Sequence, residues 1–187
     1  MLGNLISNRQ ISKLMKENVI AIEPFDPFSL KATHYTLHPG RVLCLSGDGR
    51  WIGRHDFTEN PNPYTLNPEE YVVVEPREQV KIRSEGLIGR FMTTSTLIES
   101  GLLVVAGQID NKYGTEHERL RFGLKNLFSE RHNELKSETR LVHVKFFDLR
   151  AITMDTVVLT PEEDFIRARR RYRATDDGVS YENENEE

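Results

Sequence analysis

At 187 residues the chain is long enough for one well-filled core, or at most two small domains. With 37% hydrophobic and 29% charged residues and a formal net charge of −4, it has the make-up of a soluble globular protein. That balance gives no general electrostatic pull towards nucleic acid or an anionic membrane. The single cysteine, Cys44, excludes an intrachain disulfide and cannot by itself build a zinc site. No apolar run approaches the roughly 20 residues that span a bilayer, and residues 1–10 lack the basic-then-apolar order of a signal peptide. A soluble, cytoplasmic protein is the expectation.

The first element reads as a helix. Ser7 followed three residues on by Gln10 makes a capping box, and Ile11, Leu14 and Met15 recur on one helical face. Asn18 is a left-handed stop. Residues 19–22 read as a short strand, ended by the turn through Pro24 and Pro27. From there the period changes to two, with residues 41–45 predicted as a strand. The glycine-rich piece 46–53 is read as a turn, and 59–68, with three prolines and three asparagines, as a loop.

Residues 71–74 are β-branched and aromatic, as in a buried strand. Residues 79–82, 87–92, 101–109, 120–127 and 141–147 continue the pattern, and 94–99 is a candidate single helical turn. Many short strands with little helix predict a barrel or sandwich. Residues 167–173 hold five arginines, and 182–187 are Asn and Glu only. The expected division is a β-domain over residues 1–160 and a charged, mobile tail over 161–187. The arginines around Tyr172 suit phosphate contact, but a solvated face neutralised by the final glutamates is the favoured reading.

Two further segments could carry chemistry. Thr93, Thr94, Ser95 and Thr96 place four hydroxyls after a strand, suited either to cradling phosphate or to capping the next turn through its own backbone. Gly107 to Tyr113 ends an apolar strand in Asp110 with an aromatic three residues on. That pattern offers a general base beside a stacking ring, or a hairpin turn in which Asp110 or Asn111 bonds its own backbone. The six histidines show no metal-ligand spacing, and no metal site is expected from them.

Taken together, these pieces resemble the dCTP deaminase and trimeric dUTPase superfamily, nearest the deaminase branch. Ser7-Asn8-Arg9-Gln10-Ile11 and the strand after it look like the deaminases' opening helix and strand. The run with Tyr35, Leu37 and Gly40 is similar to their first motif. Asn67-Pro68-Glu69-Glu70-Tyr71 resembles the strand entry before the nucleotide site. TTSTLIESGL, starting at Thr93, looks like the second motif, and Ala106-Gly107-Gln108-Ile109-Asp110 with Tyr113 is similar to the third.

The resemblance implies a mainly β fold, a distorted barrel with a short N-terminal helix, assembling as a homotrimer with shared sites. It implies a pyrimidine deoxynucleotide as ligand. Relatives deaminate dCTP without a metal or hydrolyse dUTP with magnesium, so the chain needs no cofactor on the first pattern and magnesium on the second. Asp110 would orient the attacking water. Ser95 and Thr96 would hold phosphate, and Gln108, Ile109 and Tyr113 would contact the nucleotide.

This chain also departs from the pattern. Thr94 and Glu99 stand where arginines are usual, and Thr36 where an aspartate is usual. Gly123 stands where deaminases use a glutamate as general acid/base, with Glu116 and Glu118 the nearby carboxylates. No glycine-rich arm of the dUTPase kind is recognisable in 167–187. The expected function is nucleotide binding in an inter-subunit pocket with the usual deaminase catalysis lost. The alternative is an active nucleotide hydrolase that uses Asp110 to activate water.

Overall fold

The computed structural model describes residues 5–45, 50–110 and 119–149, together with two strands in the C-terminal segment. It divides into two compact units, Met1–Ala151 and Ile152–Glu187.

The chain opens as the capping signal predicts. The Ser7 backbone amide donates to Gln10 Oε1 at 2.8 Å and the Gln10 amide donates to Ser7 Oγ at 3.4 Å, which satisfies two orphan donors of helix α1 (Asn8–Lys16). Ile11 is fully buried on the helix's apolar face, with Leu14 and Met15 partly buried against the core. Asn18 takes the left-handed conformation, φ 58°, which its short polar side chain tolerates, and the chain turns into a strand.

Among the described residues the strands that follow are β1 Ile20–Glu23, β2 Tyr35–Leu37, β3 Pro39–Leu45, β4 Trp51–Asp56, β5 Tyr64–Leu66, β6 Tyr71–Pro76, β7 Gln79–Ile82, β8 Leu87–Thr93, β9 Leu102–Val105, β10 Gln108–Ile109, β11 Phe122–Asn126, β12 Asn133–Leu135, β13 Val142–Asp148, β14 Tyr172–Thr175 and β15 Gly178–Tyr181. A short helix α2 (Ser95–Glu99) links β8 to β9. In the first unit, one sheet has the order β10-β8-β13-β2 and a second β4-β3-β6-β11-β9, with β1-β7 and β12-β5 as separate pairs. In the second unit β14 pairs antiparallel with β15.

Alternation builds the core. Tyr35, Val144 and Phe146 from the four-stranded sheet, and Val42, Val72, Val74 and Leu124 from the five-stranded sheet, join one buried cluster. Phe91 and Phe122 meet edge to face at 4.8 Å within it. Its border includes a polar knot. Asn126, fully buried, donates to the carbonyls of Asn67 (3.0 Å) and Arg131 (2.7 Å) and accepts from Phe128 N (3.2 Å) and Asn133 Nδ2 (2.8 Å). Every polar atom of the amide is thereby used.

Six strands fall where the sequence predicted none: β2, β4, β5 and β12, and in the second unit β14 and β15. β4 occupies the end of the predicted 46–53 turn and is exposed over Trp51, Ile52, Gly53 and Arg54, so it carries no alternation to read; its backbone is ordered by pairing with β3. β5 lies inside the Pro- and Asn-rich stretch, and β12 in a polar one, and they pair with each other across some seventy residues. Each is three residues long, too short to carry a readable alternation.

Candidate functional site

The second-motif segment is built from its cap. Thr94 is buried, and its hydroxyl both accepts from Leu97 N (3.4 Å) and donates to the Arg140 carbonyl (2.8 Å). It therefore fixes the entry to α2 and the strand-entry turn before β13, the capping role weighed for this cluster. Ser95 and Thr96 are exposed just beyond it. The Arg140 guanidinium donates to Thr96 Oγ1 at 3.3 Å, which sets a cation beside the two hydroxyls. Glu99, four residues after Ser95, shares its helix face and brings a negative charge to the same side.

The third-motif segment pairs with the middle of β8. Gln108 lies opposite Arg90 and Ile109 opposite Gly89, while Arg90 also lies opposite Lys145 on β13. Gln108, Arg90 and Lys145 thus form one outward row. Ile109 points the other way, fully buried, and sits so close to Gly89 that a Cβ at 89 would come within 2.6 Å of its Cγ2. Its side chain belongs to the core. Asp110, the next residue, is half-buried. Tyr113, Glu116 and Glu118 lie outside the described residues.

The structure brings Thr96 together with Arg140, and Gln108 together with Arg90, with Ser95 and Asp110 the respective chain neighbours. The two groups lie at different points along β8, one beside Arg90 and one just past its end at Thr93.

Between them runs a second outward row, Met92, His143 and Thr36, across β8, β13 and β2. Thr36, at the first-motif aspartate position, is buried with its Oγ1 3.1 Å from His143 Nδ1. The rings of His34 and His143 are 4.1 Å apart between centroids. Burial pushes His143 down to about 4, and His34, Arg140 and Lys145 add to that depression. His34 is also held below its ordinary value, by burial first and then by Lys145 and Lys31.

Gly123 sits in β11 between Val105 of β9 and Val73 of β6. The Tyr71 side chain lies over it: a Cβ there would meet the phenol oxygen and two ring carbons at 3.0 Å. The position at which the resemblance implies a catalytic carboxylate is thus roofed by an aromatic ring. Elsewhere, Glu78 is buried. Burial opposes its charged form, but bonds from the His38 ring (2.9 Å) and backbone amide (2.8 Å) hold its carboxyl below the usual range.

Sequence reasoning missed Arg140, Arg90 and the imidazole pair. The alternation of His143 and Lys145 with Val142, Val144 and Phe146 was legible, but the residues facing them across the sheet were not.

The described residues form a mainly β fold similar to that of a solved dCTP deaminase. The dCTP deaminase of Agrobacterium tumefaciens matches with a TM-score of 0.58 at 10% identity, over 79% of this chain and 49% of that one. The chain therefore spans about half the length of that deaminase. The dUTPase of phage phi11 of S. aureus gives a TM-score of 0.47 at 13% identity, over 76% of this chain and 98% of that one. EIAV dUTPase gives 0.41 at 12%, over 64% and 88%. No family model matches the sequence, and no curated protein matches it.

Proposed function

We propose that the protein binds a pyrimidine deoxynucleotide in a pocket formed between subunits of a homotrimer, without the usual deaminase chemistry. The observation that carries the loss of chemistry is Tyr71 packed over Gly123. A general acid/base has neither a side chain nor open space at that position. Binding is supported by the Thr96–Arg140 bond, which supplies hydroxyl and cation at one end of the strip, and by Gln108 beside Arg90 at the other. The two groups sit at different points along β8, and a second copy would complete the site between them. Tyr113 would add a stacking ring. Among the described residues no helix is long and apolar enough to cross a membrane; a cytoplasmic location fits a nucleotide ligand.

A second reading, hydrolysis with Asp110 activating water, is favoured by the half-buried carboxylate at the end of β10, following directly on the basic row. The phi11 dUTPase coordinates a structural Mg(II) ion. Among the described residues no three His, Cys, Asp or Glu side chains gather as ligands, and no step is routed through magnesium.

Incubating the protein with dCTP, dUTP and other nucleotides, with and without magnesium, and separating products by chromatography tests both readings. No turnover, with a nucleotide-dependent rise in melting temperature, is the expected result. Turnover that disappears in Asp110→Asn would overturn the silent reading. A monomer by mass measurement in solution would overturn the shared pocket.

A further inference from the structure

The outward face of the four-stranded sheet carries a cluster that the nucleotide reading uses only at its margins. His34 and His143 place their rings 4.1 Å apart, and His143 Nδ1 is tied to the Thr36 hydroxyl. Around the pair stand Lys31 and Thr36 from the β2 side, Arg90 and Met92 from β8, and Arg140 and Lys145 from the β13 side. Lys31 and Lys145 act on His34, and Arg140 and Lys145 on His143, each opposing protonation of the ring; the nearest carboxylates placed on this side are Glu99 on α2 and Asp110 after β10. Like charges gathered around two imidazoles favour an anion joining them.

We infer that His34 and His143, backed by Lys31, Lys145 and Arg140, form a proton-gated site for a phosphate-class anion. With both rings neutral the face offers three flanking cations. Protonation of the pair adds up to two charge-assisted donors close to one another, a state the bare face resists because the two imidazolium charges repel. An anion seated between them removes that repulsion, so anion binding and proton uptake favour one another. The Thr36 hydroxyl accepts from Nδ1 once that nitrogen is protonated, which leaves His143 Nε2 as the donor towards the ligand.

This inference rests on the proposed function only for the identity of the phosphate's carrier. On that reading the ligand's phosphate end lies by Thr96 and Arg140, three residues from His143, and nucleotide affinity rises as pH falls. The gate itself needs no nucleotide.

The test uses sulfate as probe, because its charge is constant between pH 4 and 8. Histidine ring resonances of the intact protein are followed by NMR through a pH titration, with and without saturating sulfate. The expected result is an upward move of one pH unit or more for His34 or His143, equivalent to at least tenfold tighter sulfate binding by the protonated form. His38, engaged with Glu78, serves as internal control and stays in place. In His34→Gln the shift at His143 shrinks, and Lys145→Ala, a milder change at the flank, reduces it without touching either ring. Unchanged titration of both rings in sulfate overturns the inference, as does a shift of equal size at His38. Nucleotide binding at fixed pH is measured beside it. A sulfate shift without nucleotide binding leaves the gate standing and removes the proposed function; nucleotide binding without a shift does the reverse.

Discussion

The ring of Tyr71 on β6 covers Gly123 on β11 from the diagonal position, with Tyr71 opposite Lys125 and Gly123 opposite Val73. Tyr71 is itself 54% exposed, so this lid is held by packing from below and is open to solvent above. Gly123→Glu forces the ring outward and is expected to lower stability by about 1–2 kcal/mol, at the low end for overpacking because the clashing atoms belong to a side chain that can swing. Thermal melts check this, and in a Tyr71→Ala background the cost of Gly123→Glu is expected to vanish. Equal cost in both backgrounds would show that something other than Tyr71 fills the space.

Asn126 is expected to be among the most sensitive positions. Asn126→Ala leaves Phe128 N, Asn133 Nδ2 and the carbonyls of Asn67 and Arg131 without their buried partner. A loss of about 2–4 kcal/mol is expected from several unsatisfied groups at once, read by denaturant unfolding with an unchanged slope. A change under 1 kcal/mol would mean water replaces the amide.

Among the groups that shape the acid limb of the stability curve, His143 and Glu78 act in different windows. His143 is depressed to about 4 from 6.5, so the unfolded chain binds more protons between those values; its contribution is complete above 6.5 and is lost as pH falls towards 4. Glu78 is depressed below 4.5, so its contribution is complete above that value and is lost as pH falls further. Melting temperature is expected to fall in both windows. His143→Gln flattens the upper one and Glu78→Gln the lower; a His143→Gln profile that parallels the parent from pH 7 to 5 would contradict the assignment.

Arg140 is expected to matter for ligand rather than for fold. Its guanidinium is exposed and bonds only the Thr96 hydroxyl among the hydrogen bonds described, while its carbonyl, which receives Thr94, survives substitution. Arg140→Ala is therefore expected to leave the melting temperature within about 1 °C and to weaken nucleotide binding roughly 10- to 100-fold, the range for losing a charge-assisted bond. Calorimetric titration of dUTP measures it. Unchanged affinity would move the phosphate end away from Thr96.

Gly101 closes α2 at φ +67° with the Phe128 ring 2.5 Å from where a Cβ would stand. Gly101→Ala combines left-handed strain with a clash and is expected to cost about 1–3 kcal/mol by thermal melting, largely because the ring is packed on backbone.

Much of the fold is legible residue by residue. Ser7 and Gln10 announce α1, Asn18 its end, and Thr94 the start of α2, because capping is settled within four residues of chain. Val80 with Ile82, and Val142 with Val144 and Phe146, announce strands because a half-buried sheet imposes a period of two. The mainly β fold, similar to that of the solved dCTP deaminase, was expected from the order of short motifs along residues 5–150. The candidate residues Ser95, Thr96, Gln108 and Asp110 came from the same order, and their roles remain a proposal.

Other features required the folded chain. β5 and β12 contain too little apolar pattern to be read alone and exist by pairing with each other. That Thr94 turns inward, that Arg140 reaches Thr96 across 44 residues, and that His143 meets Thr36 across 107 are consequences of register, which sequence neighbours do not encode. The same holds for the 71–113 segment, whose strands are plain in the sequence while the ring of Tyr71 over Gly123 is not. Local signals fix which backbone a segment adopts; only burial and pairing of distant segments decide which side chains share a face, and chemistry depends on the face.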